Sequence, residues 1–302
     1  MIGDNQMKTI TNLTLVFFLL VVLFGCSPSD EGGGSSGSST KSYSLAEGGT
    51  VRNITAGYSL THTGSLTARQ GTSSATYDYQ NIRSTADGGI LQYSSNPIIV
   101  ISNSRKLTDK SSGQIEQSVS QDYYVTAGGK DYWVLDQGAN GLWYAVNQLQ
   151  GLEDPTAKIV YSGSHSTYLT LNTCDSVGSN YSCINPTTVV ELNGTGTKLG
   201  IETITTSLGT FETYKISETI TQTSYNTSAY NNASISSIIW YYPDLGIVKR
   251  EYTAQFNDYS PPLINEVTTT LKSTNNSKYS RNQRGITSLT PMFISPIIIP
   301  IK

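Results

Sequence analysis

The chain has 302 residues, a formal net charge of −3 and 14% charged residues, against roughly 25% in an average globular protein. Its polarity comes from Ser, Thr, Asn and Gly, and no basic stripe runs through it, which argues against nucleic acid as a partner. Twenty Tyr against six Phe suit extended strands that are wet on one side.

The chain opens with Lys8 and then an apolar run from Leu13 to Phe24, with no acidic residue between Lys8 and Cys26. A membrane-spanning helix needs roughly 20 apolar residues, so this run has the length of a signal-peptide core instead. It ends in Leu23-Phe24-Gly25-Cys26, which resembles the lipobox of bacterial lipoproteins, with Phe24 bulkier than the usual occupant of its position. The resemblance implies a leader over residues 1–25, removed before Cys26, and a Cys26 carrying fatty acyl chains such as palmitate. An uncleaved helix ending in an ordinary cysteine is the alternative. Two or more acyl chains make a stable anchor where one does not. Met7 is the better start, because Met1–Gln6 would add Asp4 to a basic leader.

Residues 26–40 continue as a Gly/Ser tether whose r.m.s. reach is about 20 Å. Ser27 after the acylated cysteine implies, in a proteobacterial lipoprotein, sorting to the outer membrane; the expected location is the cell envelope, lipid-anchored.

From 41 to 275 apolar residues alternate or sit in short runs punctuated by Gly, Asn and Asp, and no helical period appears. This predicts an all-β domain: an antiparallel curved sheet, a half-open barrel or a β-sandwich. Hairpin turns are expected at 86–89, 110–113, 136–141, 193–196 and 243–246. Asp131–Leu135 and Leu142–Val146 are apolar on both faces, so both strands should be covered on two sides or face a cavity. Leu263, Val267 and Leu271 should share one strand face, with Glu266, Thr268 and Thr270 on the other. Between Val248 and Phe256 the alternation is broken by Arg250 on the apolar side, a place for an ion-paired or snorkelling arginine, or for an anion in a cavity.

The pairing of GTFETYKI at 209–216 with WYYPDLGIVKR at 240–250 is similar to a module of exported β-rich bacterial proteins of uncharacterised activity. Some of those fold as curved antiparallel sheets like the carriers that shuttle lipoproteins across the periplasm. The resemblance implies fold and hands over no catalytic residue. Residues 276–302 form a tail, basic at first and then apolar with three prolines, to which no role is assigned.

Cys174 and Cys183 are the cysteines after Cys26, and an exported protein pairs such thiols. Free thiols and a metal site are the alternatives, and no histidine lies between them to help a metal. His62 and His165 read as solvated loop residues, and no G-x-S-x-G elbow accompanies them. The loop from Asp136 matches a calcium loop at positions one, five and six but has Gly138 at three and Asn147 at twelve, so a plain turn is expected. No metal or cofactor is expected. The resulting expectation is a non-enzymatic envelope lipoprotein. It would bind a hydrophobic ligand or an envelope partner on a concave face lined by Trp133, Trp143, Tyr144 and Trp240. A structural or adhesive module with a solid core and an outer aromatic patch is the rival, and an exported hydrolase the third reading.

Overall fold

In a computed structural model, the structure describes residues 41–45, 57–93, 95–127, 130–137, 143–146, 159–160, 162–225, 232–243, 245–276 and 278–279. The expected leader, Cys26 and the expected tether, and the residues beyond 279, lie outside them. The strands are β1 (Ser42–Tyr43), β2 (Ser59–Gln70), β3 (Ser73–Tyr93), β4 (Asn96–Asp109), β5 (Ile115–Ala127), β6 (Lys130–Gln137), β7 (Trp143–Val146) and β8 (Ser164–Thr173). They continue as β9 (Ser176–Val177), β10 (Cys183–Ile184), β11 (Thr187–Thr206), β12 (Gly209–Ser224), β13 (Ala233–Tyr242), β14 (Gly246–Phe256) and β15 (Leu263–Thr274).

Twelve of these strands form one antiparallel sheet in the order β12-β11-β8-β7-β6-β5-β4-β3-β2-β15-β14-β13. Pairing of β12 with β13, from Tyr214–Tyr241 to Gln222–Ala233, closes it into a barrel. The all-β antiparallel expectation is met, in the form of a closed barrel. Closure removes the edges that an open sheet would leave unpaired. β1 adds in parallel to the outer end of β12, and β9 and β10 make a separate two-stranded ribbon.

Side-chain alternation decides which face looks inward. On β2, Leu60, His62, Leu66 and Ala68 are buried while Thr61, Thr63, Ser65 and Thr67 lie on the other face. On β3, Tyr77, Tyr79, Asn81, Arg83 and Thr85 are buried, with Thr76, Asp78, Ile82 and Ser84 exposed. β15 behaves as expected, with Leu263, Val267 and Leu271 buried and Thr268 exposed. A membrane-spanning barrel turns an apolar band outward and a polar lumen inward; these strands do the reverse. Among the described residues no helix is long and apolar enough to cross a membrane.

The interior is occupied by side chains. A main cluster includes Leu66, Tyr79, Ile101, Tyr124, Tyr144, Leu171, Ile235, Phe256 and Val267. A second, at one end, stacks Tyr43 on Phe211 with ring centroids 4.6 Å apart and sets Tyr242 and Tyr279 edge-on to them. Here the β13–β14 turn packs against β2: the Tyr58 hydroxyl donates to the Leu245 carbonyl at 3.2 Å. Asn276 and Tyr279 are buried, so packing continues past the expected boundary at 275.

Several expectations are corrected. Residues 86–89 lie inside β3, whose register slips between Asp87 and Gln92; the chain reverses instead near Ser95, at φ 68°. Residues 193–196 run straight through β11, paired with both β8 and β12. Gly196 serves close approach there rather than chain reversal, because any Cβ would strike the end of the Ile159 side chain. Ile159, Val160 and Ser162 form a helical turn inside a region expected to have none, and it seats Ile159 and Val160 against Ile216, Ile239, Tyr241 and Ile247. The turn at 110–113 forms where expected, Pro243 and Leu245 lie in a turn, and β6 pairs antiparallel with β7 and β11 with β12; residues 138–142 of the turn expected at 136–141 lie outside the described residues.

Candidate functional site

Between the apolar clusters the barrel carries a polar layer. Strand alternation sends Glu218 (β12), Ser237 (β13), Arg250 and Tyr252 (β14), His62 (β2), Asn81 (β3) and Thr269 (β15) inward among hydrophobic neighbours. Arg250 is 3% exposed, and its Nη2 lies 3.6 Å from Glu218 Oε2. The Ser237 hydroxyl donates to the same oxygen at 3.1 Å. Burial pushes the Glu218 carboxyl above the ordinary carboxylate range, against the pull of Arg250 and of the Ser237 hydroxyl. The Arg250 guanidinium lies over the Tyr252 ring, 5.1 Å from its centroid. The ion-paired reading of Arg250 is therefore the one realised.

His62 is not a loop residue. It sits on β2, 5% exposed, with Nε2 2.8 Å from the Ile247 carbonyl oxygen. A carbonyl only accepts, so Nε2 carries the hydrogen and Nδ1 is bare. Burial drives its pKa down to about 4, against the Ile247 hydrogen bond and with help from Arg83. His165 is on β8, half-buried, and burial also lowers it. The loop placement of both histidines is thus corrected: each falls on a strand because its neighbours alternate with it.

Two cavities bound this chemistry. One lies in the polar layer against His62, Tyr79, Asn81, Arg250, Tyr252 and Thr269 and has a volume of about 20 Å³. The other is a groove of about 350 Å³ on the outside of β12–β15, lined by Ser217, Ser236, Glu251, Thr253, Glu266 and Thr268. Its two carboxylates are ion-paired, Glu251 with Lys249 at 2.6 Å and Glu266 with Arg69 at 2.7 Å.

Of the aromatic residues expected to share one concave face, Trp143, Tyr144 and Trp240 lie in three separate clusters. Tyr144 is 1% exposed in the main interior cluster. Trp143, its neighbour on β7, points to the opposite face because successive strand residues alternate. There it joins an outer patch, with ring centroids 5.2 Å from Tyr123 and 6.5 Å from Tyr181. Trp240 is 4% exposed, with Lys249 Nζ 4.4 Å and Lys215 Nζ 5.3 Å from its ring. Trp133 pairs with Tyr124 through the β5–β6 register; its side chain lies outside the described residues.

Cys174 and Cys183 form the expected disulfide, with Cα atoms 5.3 Å apart. The bridge holds the β9–β10 ribbon on the outer apolar patch of Ile98, Tyr123, Val125, Val134, Leu135 and Ala145. This is why β6 and β7 are apolar on both faces. Of the loop that partly matches a calcium site, residues 138–142 and 147 lie outside the described residues. Among the described residues no group of three or more His, Cys, Asp or Glu could hold a metal ion.

Sequence reasoning singled out Arg250 but missed its partner. The signal was available: Glu218 sits between Ile216 and Ile220 at alternate positions of β12, an acid on an apolar stripe. His62, between Leu60 and Leu66, carries the same signal.

The fold and interior define a closed antiparallel barrel with an apolar, polar-layered core and a hydroxyl-rich exterior. No protein family's sequence pattern matches the chain, and no curated protein matches it. Among solved structures it is similar to a candidate lipoprotein of Parabacteroides distasonis, with 12% identity, 73% of this chain and 95% of that one covered, and a TM-score of 0.31. It is also similar to a candidate exported protein with a YmcC-like fold from Bacteroides fragilis, with 13% identity, coverage of 76% and 100%, and a TM-score of 0.36. At these scores the likeness carries no argument, and the fold rests on the strand pairing itself.

Proposed function

We propose that the chain is a lipid-anchored protein of the bacterial cell envelope, acylated at Cys26, which meets an envelope partner with the outside of its barrel and performs no chemistry. The leader, the lipobox-like residues and the Gly/Ser tether support the anchoring. One observation carries the rest: the described inward side chains pack into apolar clusters and leave about 20 Å³ in the polar layer, while the strands turn Ser, Thr and charged residues outward. A pocket for a drug-sized ligand needs roughly 300–1,000 Å³. The outer groove of about 350 Å³ reaches that size, and its hydroxyls and ion-paired carboxylates suit a polar partner rather than a lipid tail.

The test separates anchor from cargo. The protein is purified from its native envelope, its barrel is released from the anchor by cleavage in the tether, and the released barrel is extracted with organic solvent. The expected result is acyl chains on the Cys26 fragment and none with the barrel. Stoichiometric lipid in the barrel fraction would instead restore the hydrophobic-ligand reading, with the binding site on residues beyond those described.

A further inference from the structure

The cavity in the polar layer is about 20 Å³, and a buried water needs roughly 10–15 Å³ of such space with two to four polar partners. Four atoms on its lining residues have no hydrogen-bond partner: Arg250 Nε and Nη1, Asn81 Oδ1 and Tyr252 Oη. Arg250 and Asn81 are each 3% exposed and Tyr252 is 7% exposed, so bulk solvent does not reach them. A buried polar group that makes no bond is costly, and native interiors satisfy such groups with protein or ordered water.

The mixture of donors and acceptors identifies the ligand. Arginine only donates, the Asn81 oxygen only accepts, and the Tyr252 hydroxyl does either. A halide would face the Asn81 oxygen. A cation would face the guanidinium. Water alone among species of this size both accepts from Arg250 and donates to Asn81.

We propose that the barrel holds one ordered water in the polar layer, accepting from an Arg250 N–H, donating to Asn81 Oδ1 and bonded to the Tyr252 hydroxyl. The water completes the hydrogen bonding of an arginine whose remaining nitrogen faces Glu218.

The test uses crystals of the full-length protein soaked in bromide, with water relaxation dispersion on the same protein in solution. The expected result is a single round density within hydrogen-bond reach of Arg250, Asn81 and Tyr252, with no anomalous signal. A bromide peak, or a site without density, overturns the proposal. Tyr252→Phe keeps the ring and removes one partner, so the dispersion should lose the contribution of one long-lived water. Dispersion unchanged in a folded Tyr252→Phe protein would also overturn it. Asn81→Asp, which keeps the acceptor, should retain the water if the site works as described.

Discussion

His62 shows how a strand position alters a residue's chemistry. Its folded pKa of about 4 lies below the unfolded value of 6.5, so the folded state holds it neutral. Above pH 6.5 both states are neutral and the contribution is complete. Between pH 6.5 and about 4 the unfolded chain takes up a proton that the folded chain refuses, and stability falls, by on the order of 3 kcal/mol once the pH is below both values. Chemical denaturation across that window should show the loss. His62→Gln, which can still donate to the Ile247 carbonyl, should flatten it. Glu218 works in the opposite sense: its raised folded pKa favours folding in acid, and that advantage disappears as pH rises past the folded value. The ion pair itself makes a second prediction. Removing one member leaves a buried charge, so Arg250→Met should cost about 3–5 kcal/mol. The double change Arg250→Met with Glu218→Leu should recover most of that, measured as a thermodynamic cycle in urea.

At the scale of elements, the disulfide ribbon and two glycines are the informative pieces. The bond between Cys174 and Cys183 closes a loop of sequence separation 9. On the loop-entropy account it contributes about 2.7 kcal/mol. Replacing both cysteines by alanine should lower the unfolding free energy by that amount and uncover Trp143 and Tyr123, seen as a red shift in tryptophan emission. Gly64 and Gly196 rank differently although both face close neighbours. A Cβ at Gly64 would strike the backbone carbonyl of Thr268 in the paired strand β15, which cannot move without breaking register. A Cβ at Gly196 would strike only the tip of Ile159. Gly64→Ala should therefore destabilise by about 3 kcal/mol and Gly196→Ala by about 1, within the range for overpacking. Equal losses in the two variants would show that backbone approach is not what selects glycine at 64.

For the molecule as a whole, closure between β12 and β13 joins distant parts of the chain, and most contacts are long in sequence. Such a topology should fold slowly, on the millisecond-to-second scale of non-local β domains. The anchor makes the remaining prediction. Cys26→Ser should move the protein from the membrane fraction to the soluble fraction, because the barrel's outward faces carry Ser, Thr and ion pairs rather than an apolar band. A Cys26→Ser protein that stayed with the membrane would place the attachment elsewhere.

The strands themselves were legible in the sequence because alternation is a local property: Leu263, Val267 and Leu271 declare a face through their spacing alone. The β11–β12 and β13–β14 hairpins and the pairing of Cys174 with Cys183 were legible for the same reason, since each joins residues close together in the chain. The meeting of β12 with β13 across a closed ring, and the folding of the β13–β14 turn onto β2, were not, because hydrogen bonds between strands leave no mark on either strand's composition. Glycine had the same ambiguity: at 193–196 it reads as a turn, and only the arrival of Ile159 from elsewhere shows that it makes room. The aromatic residues fell on opposite faces because the register of each strand, and not its content, assigns inside and outside. The sequence alone determined that this chain is β through most of its body, and its lipobox-like residues ahead of a Gly/Ser-rich run carry the anchoring we propose. The tertiary structure alone decided that the sheet closes and that Arg250 meets Glu218, since each depends on residues far apart in the chain meeting in one barrel.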